Sequence, residues 1–320
     1  MAALSQPMHG IAASSWIRRH LFAHRASAIG RCGEGYLFRF HRSGPNTSVS
    51  SREFSLTTTG VHPAELADRV ATEGWAIARQ RLDAEEVHTA RTLIATHFQA
   101  GHGVSLQGAK VRPAAAHFVP GLSWLYAHPQ VVDLARSALG VREVIFTGHS
   151  DAHHGFTQGW HKDSGSQAQG DPLSGYFGES PESLFQGPPE VVKVGIYLQE
   201  STSINCLRVD PGSHLRPEFE PAHPTEALMD AGDLVVFDVR ITHAGAVVPG
   251  RDSSDADALH ERISAFVTFG RDTQRTRNFA RANMARQRQQ IGLHGATTVM
   301  MDHGHAALLA SRGVRAWDES

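Results

Sequence analysis

Cysteine is nearly absent from this chain: Cys32 and Cys206 are the two in 320 residues. Two thiols cannot build a disulfide framework or a thiolate zinc module, and such scarcity fits a reducing compartment. An excess of either charge is missing too. Lysine and arginine total 30 against 32 aspartates and glutamates, a formal charge of −2, so no global field draws the chain to a polyanion or an anionic membrane. Long apolar runs are also lacking. The longest, such as Leu234 to Phe237, are strand-sized, well short of the ~18 to 20 residues needed to cross a bilayer. These absences argue against nucleic-acid binding and membrane insertion, and leave a small molecule as the default partner.

What is present is ordinary for an enzyme: 41% hydrophobic and 19% charged residues, enough to bury a sizeable core. The 21 histidines are many, but most lie singly, and a scattered histidine is more often a surface or core residue than a ligand. The first 52 residues hold Glu34 as their sole acid beside seven arginines and many Ser, Ala and His. That composition is expected of a disordered or mis-started extension, or of a mitochondrial transit peptide. The compartment expected is therefore the cytoplasm, with the mitochondrion as the alternative. Residues 1–56 are assigned to this extension, 57–270 to the catalytic domain, and 271–320 to a helical tail that packs on or extends it.

Periodicity predicts helices first and strands after. Pro63 opens a helix running to Glu73, with Leu66 and Val70 four apart and Gly74 as the stop. Trp75 to Ile77 reads as a short strand. Asp83 with Glu86 three later is a capping box, followed by the stripe Val87, Ala90, Ile94 and Phe98. Another helix begins at Pro129 and ends before Gly140. Beyond Arg142 the segments Val144 to His149, Val191 to Gln199, Leu234 to Val239 and Ile263 to Phe269 are strand-like, with Gly and Pro between them. No crossover helices separate these strands, so a doubly wound parallel sheet is excluded in favour of a sandwich or jelly roll with a mouth for a ligand. Two long connections, Ser164 to Glu190 and Pro249 to Glu261, read as lids or disorder. The arginines between Arg271 and Arg288 read as the solvated face of a helix.

The chemistry concentrates in Gln158-Gly-Trp-His-Lys-Asp-Ser-Gly165. Residues at i and i+2 of an extended chain share a face, so His161 and Asp163 can converge on one metal ion. An imidazole and a carboxylate lack only a second imidazole to give the two-histidine-one-carboxylate face that leaves open positions on Fe(II). Alone, a His-x-Asp pair is a weak signal. Later segments strengthen it by appearing in order: Leu207-Arg-Val-Asp-Pro-Gly-Ser-His214, then Ala231 to Gly245 containing His243, then Glu261 to Gly270. With these pieces, residues from about 65 to 270 resemble the phytanoyl-CoA hydroxylase family of 2-oxoglutarate oxygenases. The resemblance implies a double-stranded β-helix (jelly-roll, cupin-like) core that is mainly β with flanking helices. It also implies iron ligation by His161, Asp163 and His243, and capture of the distal carboxylate of 2-oxoglutarate by Arg262 and Ser264. The implied cofactors are Fe(II) and 2-oxoglutarate, with O2 as co-substrate, and the implied reaction is hydroxylation of a small molecule with release of succinate and CO2.

Physical reasoning supports that transfer. Arg262 and Ser264 alternate onto one strand face and offer a guanidinium fork and a hydroxyl to a carboxylate. One departure stands out: nineteen positions separate His243 from Arg262, about twice the family's usual spacing, and a longer hairpin carries the excess. Asp163 occupies the coordination position a halide would need, which argues against halogenation. Alternation puts Lys193, Gly195 and Tyr197 on one face and Thr147, His149 and Asp151 on another. Trp160, His149, Lys193 and Tyr197 are thus the candidates for contacting the substrate or supporting the ligands. Lys110 and Arg112 are placed in a loop that either captures an acid or is merely solvated. His214 reads as a turn or supporting residue rather than a fourth ligand. The competing readings are a cupin-like zinc or manganese enzyme without 2-oxoglutarate and a non-catalytic jelly roll that binds a small molecule.

Overall fold

The computed structural model describes residues 63–106, 109–155, 159–165, 175–245, 262–292 and 303–317, all within a unit spanning Thr57–Ser320. The 1–56 extension and the Pro249 to Glu261 connection lie outside the described residues, as does 166–174 of the other long connection. Helix α1 (Pro63–Glu73) and α2 (Ala84–Gln99) flank strand β1 (Trp75–Ala78). The capping box forms as read: Glu86 N donates to Asp83 Oδ1 at 2.8 Å and Asp83 N to Glu86 Oε2 at 2.9 Å. It satisfies amide donors that the first helical turn leaves unpaired, a cap typically worth about 1 kcal/mol. Short helices α3 (Ala115–Phe118) and α4 (Ser123–Tyr126) precede α5 (Pro129–Leu139), which starts on its proline and stops at Gly140 in the left-handed region, φ 64°, and a single turn, α6 (Pro181–Leu184), comes later in the chain.

The larger sheet has eight strands. Seven run in the order β1-β8-β5-β10-β4-β3-β2, and β11 (Arg315–Ala316) pairs in parallel with β4. Its other strands are β2 (Val104–Leu106), β3 (Ala109–Arg112), β4 (Ile145–His154), β5 (Val191–Tyr197), β8 (Leu234–Asp238) and β10 (Ile263–Gly270). A smaller sheet, β7-β6-β9, is made of Thr225–Ala227, Leu207–Val209 and His243–Gly245. Apart from β11, the pairings are antiparallel and the sheet is not closed. One face of β5, β8 and β10, including Val192, Val194, Ile196, Val236, Ala265 and Val267, packs with α1, α2 and α5 through residues such as Val70, Ile94 and Val132. Each fully buried aliphatic side chain there contributes roughly 1.5–3 kcal/mol. The opposite face meets the smaller sheet through Tyr197, Val235, Phe237 and Phe266 against Leu207, Val209 and Ile241. Gly195 lies beneath this layer, where a Cβ would come within 2.9 Å of the Phe266 ring and of Val235, so glycine lets that aromatic lie flat on the strand.

Two expectations change here. Lys110 and Arg112 sit in strand β3 rather than a loop, and both are committed to structure. Lys110 Nζ donates to Phe98 O at 2.9 Å, and buried Arg112 lies 3.9 Å over the Phe118 ring. A basic run beside Pro113 looks loop-like because β3 is short and is held between the three-residue β2 and, forty residues on, β4. The arginine-rich tail forms α7 (Gln274–Gly292), where Arg281 is exposed but Arg275, Arg277, Arg286 and Arg288 are half-buried, and Thr276, Phe279, Ala280, Asn283, Met284, Gln287 and Ile291 are buried. Polar residues interrupt the apolar ones along that buried face, which masks the stripe in the sequence. Helix α8 (His303–Ser311) follows. Among the described residues no helix is long and apolar enough to cross a membrane.

Candidate metal centre

Strand β9 brings His243 beside His161 through an isolated antiparallel bridge, the two residues exchanging backbone bonds of 3.0 and 2.9 Å. Their rings lie 4.2 Å apart by centroid. His161 Nδ1 contacts Gly159 O at 2.7 Å and His243 Nδ1 contacts Ile241 O at 3.1 Å. A carbonyl only accepts, so each Nδ1 carries the proton and each Nε2 presents a lone pair. Both lone pairs meet the same carboxylate: His161 Nε2 is 3.8 Å from Asp163 Oδ1 and His243 Nε2 is 3.4 Å from Asp163 Oδ2. One ligand atom from each of the three residues falls within a 4.8 Å cluster. Bonds of about 2.1 Å to a six-coordinate first-row cation would set neighbouring ligands about 3 Å apart, a spacing this cluster reaches with small adjustment. Two neutral imidazoles fixed by backbone acceptors and one anionic oxygen suit iron(II).

The electrostatics agree with that donor set. Burial alone would raise the Asp163 carboxyl, but Lys193, with Nζ at 2.5 Å, and the two imidazoles hold it well below the usual carboxylate range. Burial, then the neighbouring His161, draws His243 down to about 3, so the ring stays neutral. Burial lowers His161 in the same direction. Between the ligands, Lys162 turns the other way and is buried, donating to Ser213 O at 2.6 Å and Arg240 O at 2.9 Å, with its ammonium 5.1 Å over the Phe185 ring. Burial pulls it down to about 7. Lys162 thus ties the ligand segment to the turn that leads into β9. That turn is itself held by buried Arg240, which pairs with Asp238 at 2.7 Å and donates to Leu184 O and Gln186 O. Neither anchor figured among the sequence candidates. The only signals were a lysine flanked by two ligands and an Asp-x-Arg at a strand end.

Arg262 immediately precedes β10 and Ser264 is its second residue, two positions on, and both are buried. Arg262 Nε donates to Asn205 O at 2.9 Å and its terminal nitrogen to the Tyr197 hydroxyl at 2.8 Å. Ser264 is opposite Tyr197 on β5 and opposite His153 on β4. Its hydroxyl is wholly buried with no hydrogen-bond partner among the described residues. A buried unsatisfied hydroxyl is unfavourable unless something fills its bonding position, and a carboxylate beside a guanidinium does so. The residues therefore fit 2-oxoglutarate as well as the metal.

The remaining candidates divide. Lys193 reaches the centre, and Tyr197 reaches Arg262 rather than the ligands. His149 is buried with both nitrogens engaged, Nε2 to Asp151 Oδ2 at 3.0 Å and Nδ1 to the Thr268 hydroxyl at 2.9 Å. It belongs to a network on β4 whose other members, Asp151 and His153, were not among the site candidates. Trp160 is half-buried beside His161. His214 is not in the cluster, and its Nε2 donates to Ala71 O at 3.1 Å.

An open antiparallel sheet facing a smaller one, with this cluster between them, defines the jelly-roll class. The phytanoyl-CoA dioxygenase (PhyH) family profile matches residues 71–250, more than half of the chain. The chain belongs to this family of iron(II)- and 2-oxoglutarate-dependent enzymes. The match takes in all three clustered residues and ends before Arg262. No curated protein matches the chain. Among solved structures, the non-heme alpha ketoglutarate dependent epimerase SnoN from nogalamycin biosynthesis is 16% identical, with 66% of this chain and 84% of that one covered at a TM-score of 0.51. EctD from S. alaskensis, solved with 2-oxoglutarate and 5-hydroxyectoine, is 18% identical, with 68% and 79% covered at a TM-score of 0.48.

Proposed function

We propose that this chain is a 2-oxoglutarate-dependent dioxygenase that hydroxylates a small molecule and releases succinate and CO2. The observation that carries the reading is the pairing of a His161–Asp163–His243 cluster with an unsatisfied, buried Ser264 hydroxyl two positions on from Arg262. His161, Asp163 and His243 hold iron(II), and Arg262 with Ser264 grips the distal carboxylate of 2-oxoglutarate. With iron(II), 2-oxoglutarate and dioxygen bound, the site supplies an oxidant strong enough to hydroxylate an unactivated C–H bond, one oxygen atom going to succinate and the other to product. The chain's own residues do the rest. Gly159 O and Ile241 O hold the two imidazoles in the tautomer that leaves Nε2 free, and Lys162 holds the segment between them. Tyr197 fixes one arm of the Arg262 fork, and Phe266 and Phe237 exclude water from beneath the site.

In this reading residues 57–270 form the oxygenase domain, 271–320 extend it, and 1–56 take no part in catalysis. The substrate is neither nucleic acid nor membrane-embedded, and the compartment is cytoplasmic, or mitochondrial if the N-terminal segment is imported. The test is spectroscopic. Anaerobic protein with ferrous iron and 2-oxoglutarate is expected to develop a weak visible charge-transfer band that Arg262→Ala weakens, and to release succinate when oxygen is admitted. A site that binds iron but develops no band with saturating 2-oxoglutarate would instead be a cupin-like centre of another chemistry.

A further inference from the structure

Lys193 is the third residue of β5, opposite Thr268 of β10 and Phe237 of β8, so it springs from the centre of the larger sheet rather than from a loop. Its neighbours on that face line the metal centre. The Phe237 ring packs on His243 at 4.8 Å, and the Lys193 ammonium stands 5.8 Å from the Phe266 ring centroid. That ammonium ends 2.5 Å from Asp163 Oδ2, with 13% of the lysine side chain and 18% of the aspartate exposed. Both charges are therefore fixed by the fold and weakly screened. Among the described residues Asp163 is the one anion within ion-pair distance of Lys193. Asp151 on β4 is engaged instead with His149, at 3.0 Å from its Nε2.

This pairing changes what an incoming cation meets. Two neutral imidazoles and one carboxylate form an anionic donor set, and the ammonium offsets the single negative charge. A divalent ion bonded to either Asp163 oxygen at about 2.1 Å would lie within about 7 Å of Nζ, close enough for the two cations to repel strongly. The co-substrate meets the opposite field. 2-Oxoglutarate is a dianion whose distal carboxylate is assigned to Arg262 and whose keto-acid end is the part that meets a metal. Lys193 and Tyr197, whose hydroxyl holds Arg262, share a face of β5 about 13 Å apart along the strand. A cation thus stands toward each end of the co-substrate, and the ammonium that opposes the metal ion attracts its anionic partner.

Resting on the oxygenase reading, we propose that Lys193 is a positioning residue that shifts affinity from the metal to the co-substrate. By offsetting Asp163 it loosens the hold of the three side chains on iron(II), and it draws the 2-oxoglutarate dianion to the loaded site. The sign of the effect separates this role from a structural one. A lysine that only braced Asp163 would, on removal, weaken metal and co-substrate together. A lysine that balances charge moves the two affinities in opposite directions.

The test uses the full chain, with Lys193→Met, Lys193→Gln and Lys193→Arg beside the wild type. Metal affinity is measured without co-substrate, by competition with a chromophoric chelator, for manganese(II) and for iron(II) under anaerobic conditions. Affinity for 2-oxoglutarate is measured on the iron-loaded protein by titrating the charge-transfer band. The two neutral variants are expected to bind both metals about tenfold more tightly and 2-oxoglutarate roughly fivefold or more weakly, whereas Lys193→Arg stays within about threefold of wild type in both. Thermal unfolding shows which neutral variant is folded, and either one suffices. Metal affinity that is unchanged or lower in a folded neutral variant, or 2-oxoglutarate affinity that does not fall, would overturn the proposal. An arginine variant that behaves like the neutral ones would do so as well. If the wild type develops no band with iron and 2-oxoglutarate, the oxygenase reading fails instead, and the metal titrations still decide what Lys193 does to the ion.

Discussion

The two faces of strands β5 and β10 are both largely buried and chemically opposite. Facing the helices are Val192, Val194, Ile196, Ile263, Ala265 and Val267, while facing the smaller sheet are Lys193, Tyr197, Arg262, Ser264, Phe266 and Thr268. Apolar groups on the first face stabilise the fold by leaving water. Polar groups on the second lose hydration and recover it only through partners, so that face is retained at a cost in stability. The strand period of two makes the division possible, because one register fixes both faces at once.

The largest break of this comparison is at the ligands. His161→Ala and His243→Ala should each abolish iron retention and turnover while leaving the cooperative unfolding transition in place, because each ring is fixed to the fold by one backbone carbonyl; His243→Ala also loses the contact with the Phe237 ring at 4.8 Å and should cost more stability. Metal analysis and thermal unfolding of the purified variants decide it, and full iron occupancy in either would remove that residue from the ligand set. The converse substitution lies on the other face. Ile196 is fully buried, so Ile196→Ala should lower stability by roughly 2–5 kcal/mol. Chemical denaturation measures the loss, and the 2-oxoglutarate affinity of the folded fraction should be unchanged. If that affinity drops as much as the stability, the two faces are not separable.

Arg262 should behave in the opposite way. Removing a buried charge-assisted pair, worth roughly 2 to 5 kcal/mol, should raise the 2-oxoglutarate requirement of Arg262→Ala by ~30-fold or more with iron binding preserved. Arg262→Lys should recover part of this, since a point charge cannot reproduce the fork. Arg262 also donates to Asn205 O and the Tyr197 hydroxyl, so some loss of thermal stability accompanies the change. If stability falls while cofactor affinity holds, the arginine is structural and Lys193 becomes the next residue to test. A truncation beginning near Thr57 should leave both stability and turnover unaltered, and an insoluble product would show that residues 1–56 contribute to folding.

The halves of the site differ in how legible they were. His161 and Asp163 could be read because a strand places i and i+2 together, and the four main strand segments because apolar and polar residues alternate along them or run continuously. The helix caps at Asp83 and Gly140 were readable for the same reason, since each is a local chemical event. Lys162 and Arg240 were missed because carbonyl partners of each lie in other segments, and Asp151 and His153 because a buried polar residue on a strand looks like a solvated one until its burial is known, even with its partner two residues away on β4. The three-residue strands β6, β7 and β9 are too short for any period to register. Helix α7 was read only by its arginines, because Thr276, Asn283 and Gln287 interrupt the apolar residues Phe279, Ala280, Met284 and Ile291 on its buried face.

Ser264→Ala is the smallest change and the finest probe of the two-face argument. In the metal- and cofactor-free protein its hydroxyl is fully buried with no hydrogen-bond partner among the described residues, so it is desolvated without compensation. Deleting a buried, unsatisfied hydroxyl is therefore expected to leave the apo protein as stable as before or up to about 1 kcal/mol more stable. Most substitutions of a buried residue do the reverse. The same deletion removes one donor to the bound carboxylate, so 2-oxoglutarate affinity should fall by roughly 0.5–1.5 kcal/mol, about a twofold to twelvefold weakening. Apo stability by denaturant titration and affinity by titration of the charge-transfer band should thus move in opposite directions. A matched loss in both would mean that Ser264 has a partner within the fold and that its place opposite Tyr197 serves the sheet rather than the cofactor.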